Sequence, residues 1–215
     1  RAALLPMLET ELIRAQDPAS RRLLVVLHGL GDSMEGYRWL PEALRLRWLN
    51  YLLVNAPDAY YTGFSWYDFS GDADVGVKRS RELLFGLLDR TRKEGFPIDQ
   101  TMLFGFSQGC LMTVEVGLRY GHRLAGLIGV SGYVHRLELL LEELSPVAKE
   151  QKFLITHGTE DPLVPFLQGK AQVERLKRAG IQVEWHEFRK AHTIAGDEEL
   201  NVIRHFVKSR FGPGF

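Results

Sequence analysis

Gly105-Phe106-Ser107-Gln108-Gly109 sets a hydroxyl between two glycines. An apolar run, Thr101-Met102-Leu103-Phe104, precedes it, and a helical pattern starts near Gln108. Strand, sharp turn and helix in that order put Ser107 at the apex. Such a turn crowds the residues on either side, so both must lack a bulky side chain. The first turn of the following helix offers unpaired N–H groups and a partial positive charge. That is what a nucleophile needs when its reaction builds negative charge nearby.

A serine hydroxyl is a weak nucleophile near neutral pH. It needs a histidine to take its proton and a carboxylate to orient that histidine. Where these follow in the order Ser…Asp…His, three histidines come late enough after an acid near 161: His186, His192 and His205. His186 falls inside a predicted strand and His205 in the last predicted helix. His192 lies in the loop after the last strand, and is the candidate base. Asp161 follows a buried strand and precedes Pro162, and is the candidate acid. Glu160 is its rival, but neighbouring side chains in an extended loop point apart, so one of the two faces His192. His28 and His157 come too early for the base and read as loop-shaping residues that hydrogen-bond backbone.

An oxyanion hole needs two N–H donors. Gln108, the residue after the nucleophile, supplies one, and the glycine-rich loop His28-Gly29-Leu30-Gly31 supplies the other through Leu30. Each such donor is worth roughly 3–4 kcal/mol of barrier. Cys110 is a competing nucleophile by type. It falls inside the helix, away from the apex, and reads as a buried structural thiol. The histidines are scattered and no H-E-x-x-H occurs, so no metal site is expected.

These groups need elements to carry them. Strands are predicted over 7–15, 22–28, 51–54, 100–106, 124–130, 152–156 and 181–188. Helices are predicted over 36–47, 74–94, 108–120, 135–144, 166–179 and 197–210. The runs Arg22 to Leu27 and Tyr51 to Val54 are continuously apolar, as in strands buried on both faces. Two opening strands and then strand–helix alternation argue a single domain over 1–215 built on one doubly wound, mostly parallel α/β sheet with helices on both faces. Segments 28–33, 105–109 and 157–162 all follow strands, at the edge where sites collect. Residues 58–72 show no sustained period and read as an aromatic-rich loop, either a flap facing substrate or a loop pinned to the core by its rings.

Lys plus Arg and Asp plus Glu each total 27, a formal net charge of zero. A neutral chain has no basic footprint for nucleic acid. One cysteine excludes an internal disulfide and fits a reducing cytoplasm. No apolar run reaches the ~20 residues of a membrane span, so no stable membrane insertion is expected. The chain opens on Arg1 rather than methionine, which is compatible with a preceding segment. A neutral chain with exposed aromatics is compatible with a homodimer.

The chain resembles the phospholipase/carboxylesterase family, which includes the acyl-protein thioesterases. The resemblance rests on Leu27 to Ser33, Asn55-Ala56-Pro57, Ser65-Trp66-Tyr67-Asp68, Gly105 to Gly109, Val130-Ser131-Gly132-Tyr133, His157-Gly158 with Asp161 to Pro165, and Ala191-His192-Thr193-Ile194. These occur in family order over nearly the whole chain. The resemblance implies an α/β-hydrolase fold without a large cap domain, no cofactor, and hydrolysis of small-molecule carboxylic esters, with thioesters or lysophospholipids as further substrates and an acyl-protein thioesterase acting on lipidated proteins as the alternative. It implies Ser107, Asp161 and His192 as the triad and Leu30 and Gln108 as oxyanion donors. Phe64, Trp66 and Leu163 are the candidate substrate contacts. Acyl transfer to an alcohol would use the same residues, and a non-catalytic binding protein is the rival from another class. Ala191 stands where the family carries glycine; were φ positive there, alanine would cost about 1 kcal/mol. The 58–72 segment is short and aromatic beside the family's corresponding region.

Overall fold

The computed structural model describes residues 7–212. The strands are β1 (Thr10–Ile13), β2 (Arg22–Leu27), β3 (Leu49–Val54), β4 (Asp58–Tyr60), β5 (Gly63–Ser65), β6 (Thr101–Phe106), β7 (Gly126–Val130), β8 (Lys152–Gly158) and β9 (Gln182–Phe188). The helices are α1 (Leu40–Leu44), α2 (Ala73–Lys93), α3 (Gln108–Arg119), α4 (Leu137–Glu142), α5 (Phe166–Arg178) and α6 (Gly196–Phe211). Seven strands form one sheet in the order β1-β3-β2-β6-β7-β8-β9. Only β1 runs antiparallel to its neighbour.

Alternation along β2 explains the layering. Leu23, Val25 and Leu27 belong to one core, with Leu84 and Leu88 of α2, Met112 of α3, Leu140 of α4 and Leu176 of α5. Leu24 and Val26 belong to the other, with Leu40 and Leu44 of α1 and Ile203 and Phe206 of α6. Successive strand side chains point to opposite faces, so an all-apolar strand must be covered on both. Each fully buried leucine contributes about 1.5–3 kcal/mol, which makes this double layer the main source of stability. Helix α3 lies deepest, with Gln108 through Leu118 all buried.

Three expectations are corrected. The helix over 36–47 is a 3-10 turn at Met34–Tyr37 followed by the short α1. Pro41 has no N–H and cannot lie in a helix interior, so it can only open α1, and left-handed Arg45 (φ 53°) ends it. The first strand is four residues long rather than 7–15. The 58–72 segment is not all loop, because β4 and β5 pair antiparallel as a small hairpin. Three-residue strands are too short for alternation to register in sequence.

The sheet order reverses between β2 and β6. β3 lies to one side of that pair and β7 to the other. The carboxyl ends of β2 and β6 are therefore neighbours at a topological switch point, where a crevice forms in such sheets.

Candidate active site

Ser107 sits between β6 and α3 with φ 57° and ψ −114°. A non-glycine residue there is strained by about 1–3 kcal/mol and persists only where its surroundings enforce it. The enforcement is visible. A Cβ on Gly105 would lie 2.0 Å from the Gly109 carbonyl oxygen, and one on Gly109 would lie 2.2 Å from that of Leu27. The Ser107 N–H donates to the Val130 carbonyl at 2.9 Å, tying the apex to β7.

Asp161 follows β8. One carboxylate oxygen accepts the Leu163 N–H at 2.9 Å and the Val164 N–H at 2.8 Å. The other lies 2.7 Å from Nδ1 of His192. Burial alone would push this carboxyl up, but the Val164 N–H, His192 and the Leu163 N–H outweigh it and hold the group below the usual carboxylate range. An ionised carboxylate only accepts, so His192 Nδ1 carries the proton and Nε2 presents its lone pair. Nε2 meets Ser107 Oγ at 2.9 Å. The three side chains the sequence singled out thus form one continuous chain of hydrogen bonds. Glu160 turns away and pairs with Arg189 at 2.9 Å.

His28 is wholly buried below the glycine-rich loop. Its Nε2 accepts the Ala56 N–H at 3.0 Å, which leaves Nδ1–H to donate to the Gly29 carbonyl at 2.6 Å. Burial lowers its pKa, consistent with this neutral tautomer. The loop is also laced to β5: the Gly31 N–H donates to the Phe64 carbonyl at 2.8 Å, and the Phe64 N–H to that of Asp32 at 2.9 Å. Gly29 packs on Ser107, where an added Cβ would lie 3.3 Å from the serine Cβ. Among the described residues the Leu30 N–H has no acceptor. The Gln108 N–H, first in α3, has no intrahelical acceptor either. The Gln108 side chain faces inward, accepting the Trp66 N–H and donating to the Tyr67 carbonyl, both at 2.9 Å.

His157 is also wholly buried; its Nε2 donates to the Val164 carbonyl at 2.9 Å, shaping the turn that holds Asp161. Cys110 is buried, and burial pushes its thiol up to about 12. Gly129 and Gly132 leave room for its sulfur, since a Cβ on either would come within 2.7 and 2.5 Å of it. This thiol is packed into the core behind the Ser107 turn. Among the described residues no three His, Cys, Asp or Glu side chains group as metal ligands.

The aromatic segment divides. Trp66 is fully buried, with its indole N–H donating to the His28 carbonyl at 2.8 Å. It supports the loop from beneath, and its side chain is closed off from solvent. Phe64 is half-buried against the core. Tyr61 and Phe69 are exposed, as is Leu163. A cleft of about 380 Å³ opens beside His192, lined among others by Tyr37, Trp39, Phe106 and Ile194. Trp39, at the N-terminal cap of α1, is part of this cleft wall. Lys190 and Glu199 form a buried ion pair behind His192, for which the sequence carries no local signal.

Residues 8–210 match the sequence profile of the phospholipase/carboxylesterase family. The chain is similar to acyl-protein thioesterase 1 of Schizosaccharomyces pombe, 34% identical over 166 residues that cover 71% of this chain and 74% of the relative. It is 29% identical to acyl-protein thioesterase 1 of Yarrowia lipolytica over 206 residues, covering 86% and 90%. Among solved structures it resembles esterase PE8, with TM-score 0.84, 26% identity, and 94% and 98% of the two chains covered. Arabidopsis thaliana SOBER1 aligns with TM-score 0.83 at 25% identity, covering 89% and 99%. With that profile matched over nearly the whole chain, the chain belongs to the phospholipase/carboxylesterase family, hydrolases of the α/β-hydrolase fold that act on ester bonds.

Proposed function

We propose that Ser107 is the nucleophile of an acyl-enzyme mechanism, with His192 as general base and acid and Asp161 as its orienting carboxylate. The observation that carries this reading is the unbroken chain from Asp161 to His192 at 2.7 Å and from His192 to Ser107 at 2.9 Å. His192 takes the Ser107 proton as Oγ attacks the acyl carbonyl. The Leu30 and Gln108 N–H groups receive the oxyanion. His192 then protonates the leaving alcohol or thiol, and water, activated by the same imidazole, releases the acid. Asp161 stays ionised throughout and stabilises the imidazolium.

The substrate class is carboxylic esters with a modest acyl or alcohol portion seated in the cleft beside His192. Thioesters are a second reading, supported by the acyl-protein thioesterase relatives. A single domain working in a reducing cytoplasm fits the buried lone cysteine, and no helix of the described residues is long and apolar enough to cross a membrane. Ser107→Ala tests the core assignment. It is expected to fold as the parent does, to lose p-nitrophenyl ester hydrolysis, and to resist labelling by a fluorophosphonate. Full hydrolysis by that variant would remove Ser107 from the role. Paired ester and thioester substrates of stepped chain length would then choose between the two classes.

A further inference from the structure

Lys190 lies two residues before His192, yet its side chain is only 3% exposed. Its ammonium meets both carboxylate oxygens of Glu199 at 2.8 Å, the Thr193 carbonyl at 2.7 Å and Ser131 Oγ at 3.1 Å. Glu199 is itself fully buried in the first turn of α6, and one of its oxygens also accepts the Ala195 N–H at 2.9 Å. Ser131 follows β7 in a left-handed conformation (φ 56°), anchored by its N–H to the Thr156 carbonyl at 3.0 Å. The Lys190 carbonyl accepts the Glu160 N–H at 3.1 Å, and a Cβ on Gly158 would strike it at 2.3 Å. One ammonium thus joins the end of β7, the far side of the His192 turn and the start of α6. Burial lowers the Lys190 pKa, and Glu199 is the main opposing influence.

A buried ion pair is weak as a source of stability. Hydrophobic replacement of both partners is often neutral or better. Its worth here is geometric. Apart from Ser107 and Asp161, His192 has no side-chain hydrogen-bond partner among the described residues, so its ring is aimed by the loop that carries it.

We propose that Lys190, clamped by Glu199 and Ser131, is a positioning residue that sets the reach of His192 to Ser107. This rests on His192 being the base. The test replaces both charges at once, with Lys190→Met and Glu199→Met, so that no buried charge is left unpaired. The double variant is expected to keep its melting temperature while kcat falls roughly 10- to 100-fold, the cost of a misplacement near 1 Å, with KM within about twofold. The low-field proton resonance of the His192–Asp161 bond should broaden or vanish. A folded double variant with wild-type kcat and an unchanged resonance overturns the clamp. Should that variant not fold, Ser131→Ala removes one acceptor without unpairing a charge. It is expected to lower kcat about two- to fivefold, the effect of one modest hydrogen bond, and an unchanged kcat there overturns the clamp as well. Ser107→Ala run alongside separates the two ideas: an active Ser107→Ala defeats the nucleophile reading, whereas a dead one beside a fully active double variant defeats the clamp alone.

Discussion

The Ser107 turn and the His192 turn face each other across 2.9 Å but are held by different physics. The serine turn is held by exclusion. Gly105 and Gly109 let backbone touch backbone, and their neighbours leave no other course for the chain. The histidine turn is held by attraction, through Asp161, Lys190 and Glu199. The difference teaches where tolerance should lie. Added volume should ruin the first region together with the fold, whereas removing the Asp161 charge, or both charges of the Lys190–Glu199 pair at once, should lower activity in the second and spare the fold.

Asp161→Asn should break that comparison most sharply if it is wrong. The asparagine oxygen can still accept from Leu163 and Val164, so the turn should survive. Its amide would donate toward His192 Nδ1, force the proton onto Nε2 and deny Ser107 its acceptor. We expect kcat to fall roughly 10⁴-fold with little change in melting temperature. A variant that instead unfolds would show that Asp161 holds the fold as glycine does on the other side.

Gly109→Ala probes the opposite side. Its Cβ would lie 2.2 Å from one backbone oxygen and 2.7 Å from another, neither of which is the free end of a side chain. Destabilisation of about 3 kcal/mol or more is expected in urea unfolding. A wild-type midpoint would mean the turn yields more easily than its packing indicates.

Each region also rests on a buried neutral histidine, His28 below the glycine-rich loop and His157 below Asp161, and burial lowers both pKa values. With the folded pKa below the unfolded one, the unfolded chain binds more protons. Stability is therefore full above the unfolded value of about 6.5 and declines as pH falls from there toward the folded values. Melting temperature recorded across this window should show the decline, and His28→Gln should flatten part of it. A flat parent profile contradicts both assignments.

The smallest effect is expected at Ala191. It is absent from the described residues with positive φ, so alanine at this position carries no left-handed penalty. Ala191→Gly should gain nothing and lose about 0.5–1 kcal/mol through added freedom of the unfolded chain. A stabilised glycine variant would reveal strain there.

Much of this was legible in the chain itself, and for local reasons. The G-x-S-x-G turn is specified by what its glycines lack. The apolar runs of β2 and β3 announce a sheet covered on both faces, and the Ser…Asp…His order follows from strands laid side by side with sites at one edge. The failures were also physical. Residue type alone does not say that Trp66 lies beneath a loop while Trp39 lines a cleft. The β4–β5 hairpin escaped because three-residue strands carry no period.

By itself, then, the sequence determined the class of fold and singled out Ser107, Asp161 and His192 for the proposed triad, since each depends on residue type, spacing and order along the chain. Only the tertiary structure decided the tautomer of His192, the neutral state of His28, the cleft walls and the Lys190–Glu199 pair. Those depend on burial and on contacts between residues far apart in sequence, such as Ser131 and Lys190, where desolvation turns two ordinary charges into a buried pair.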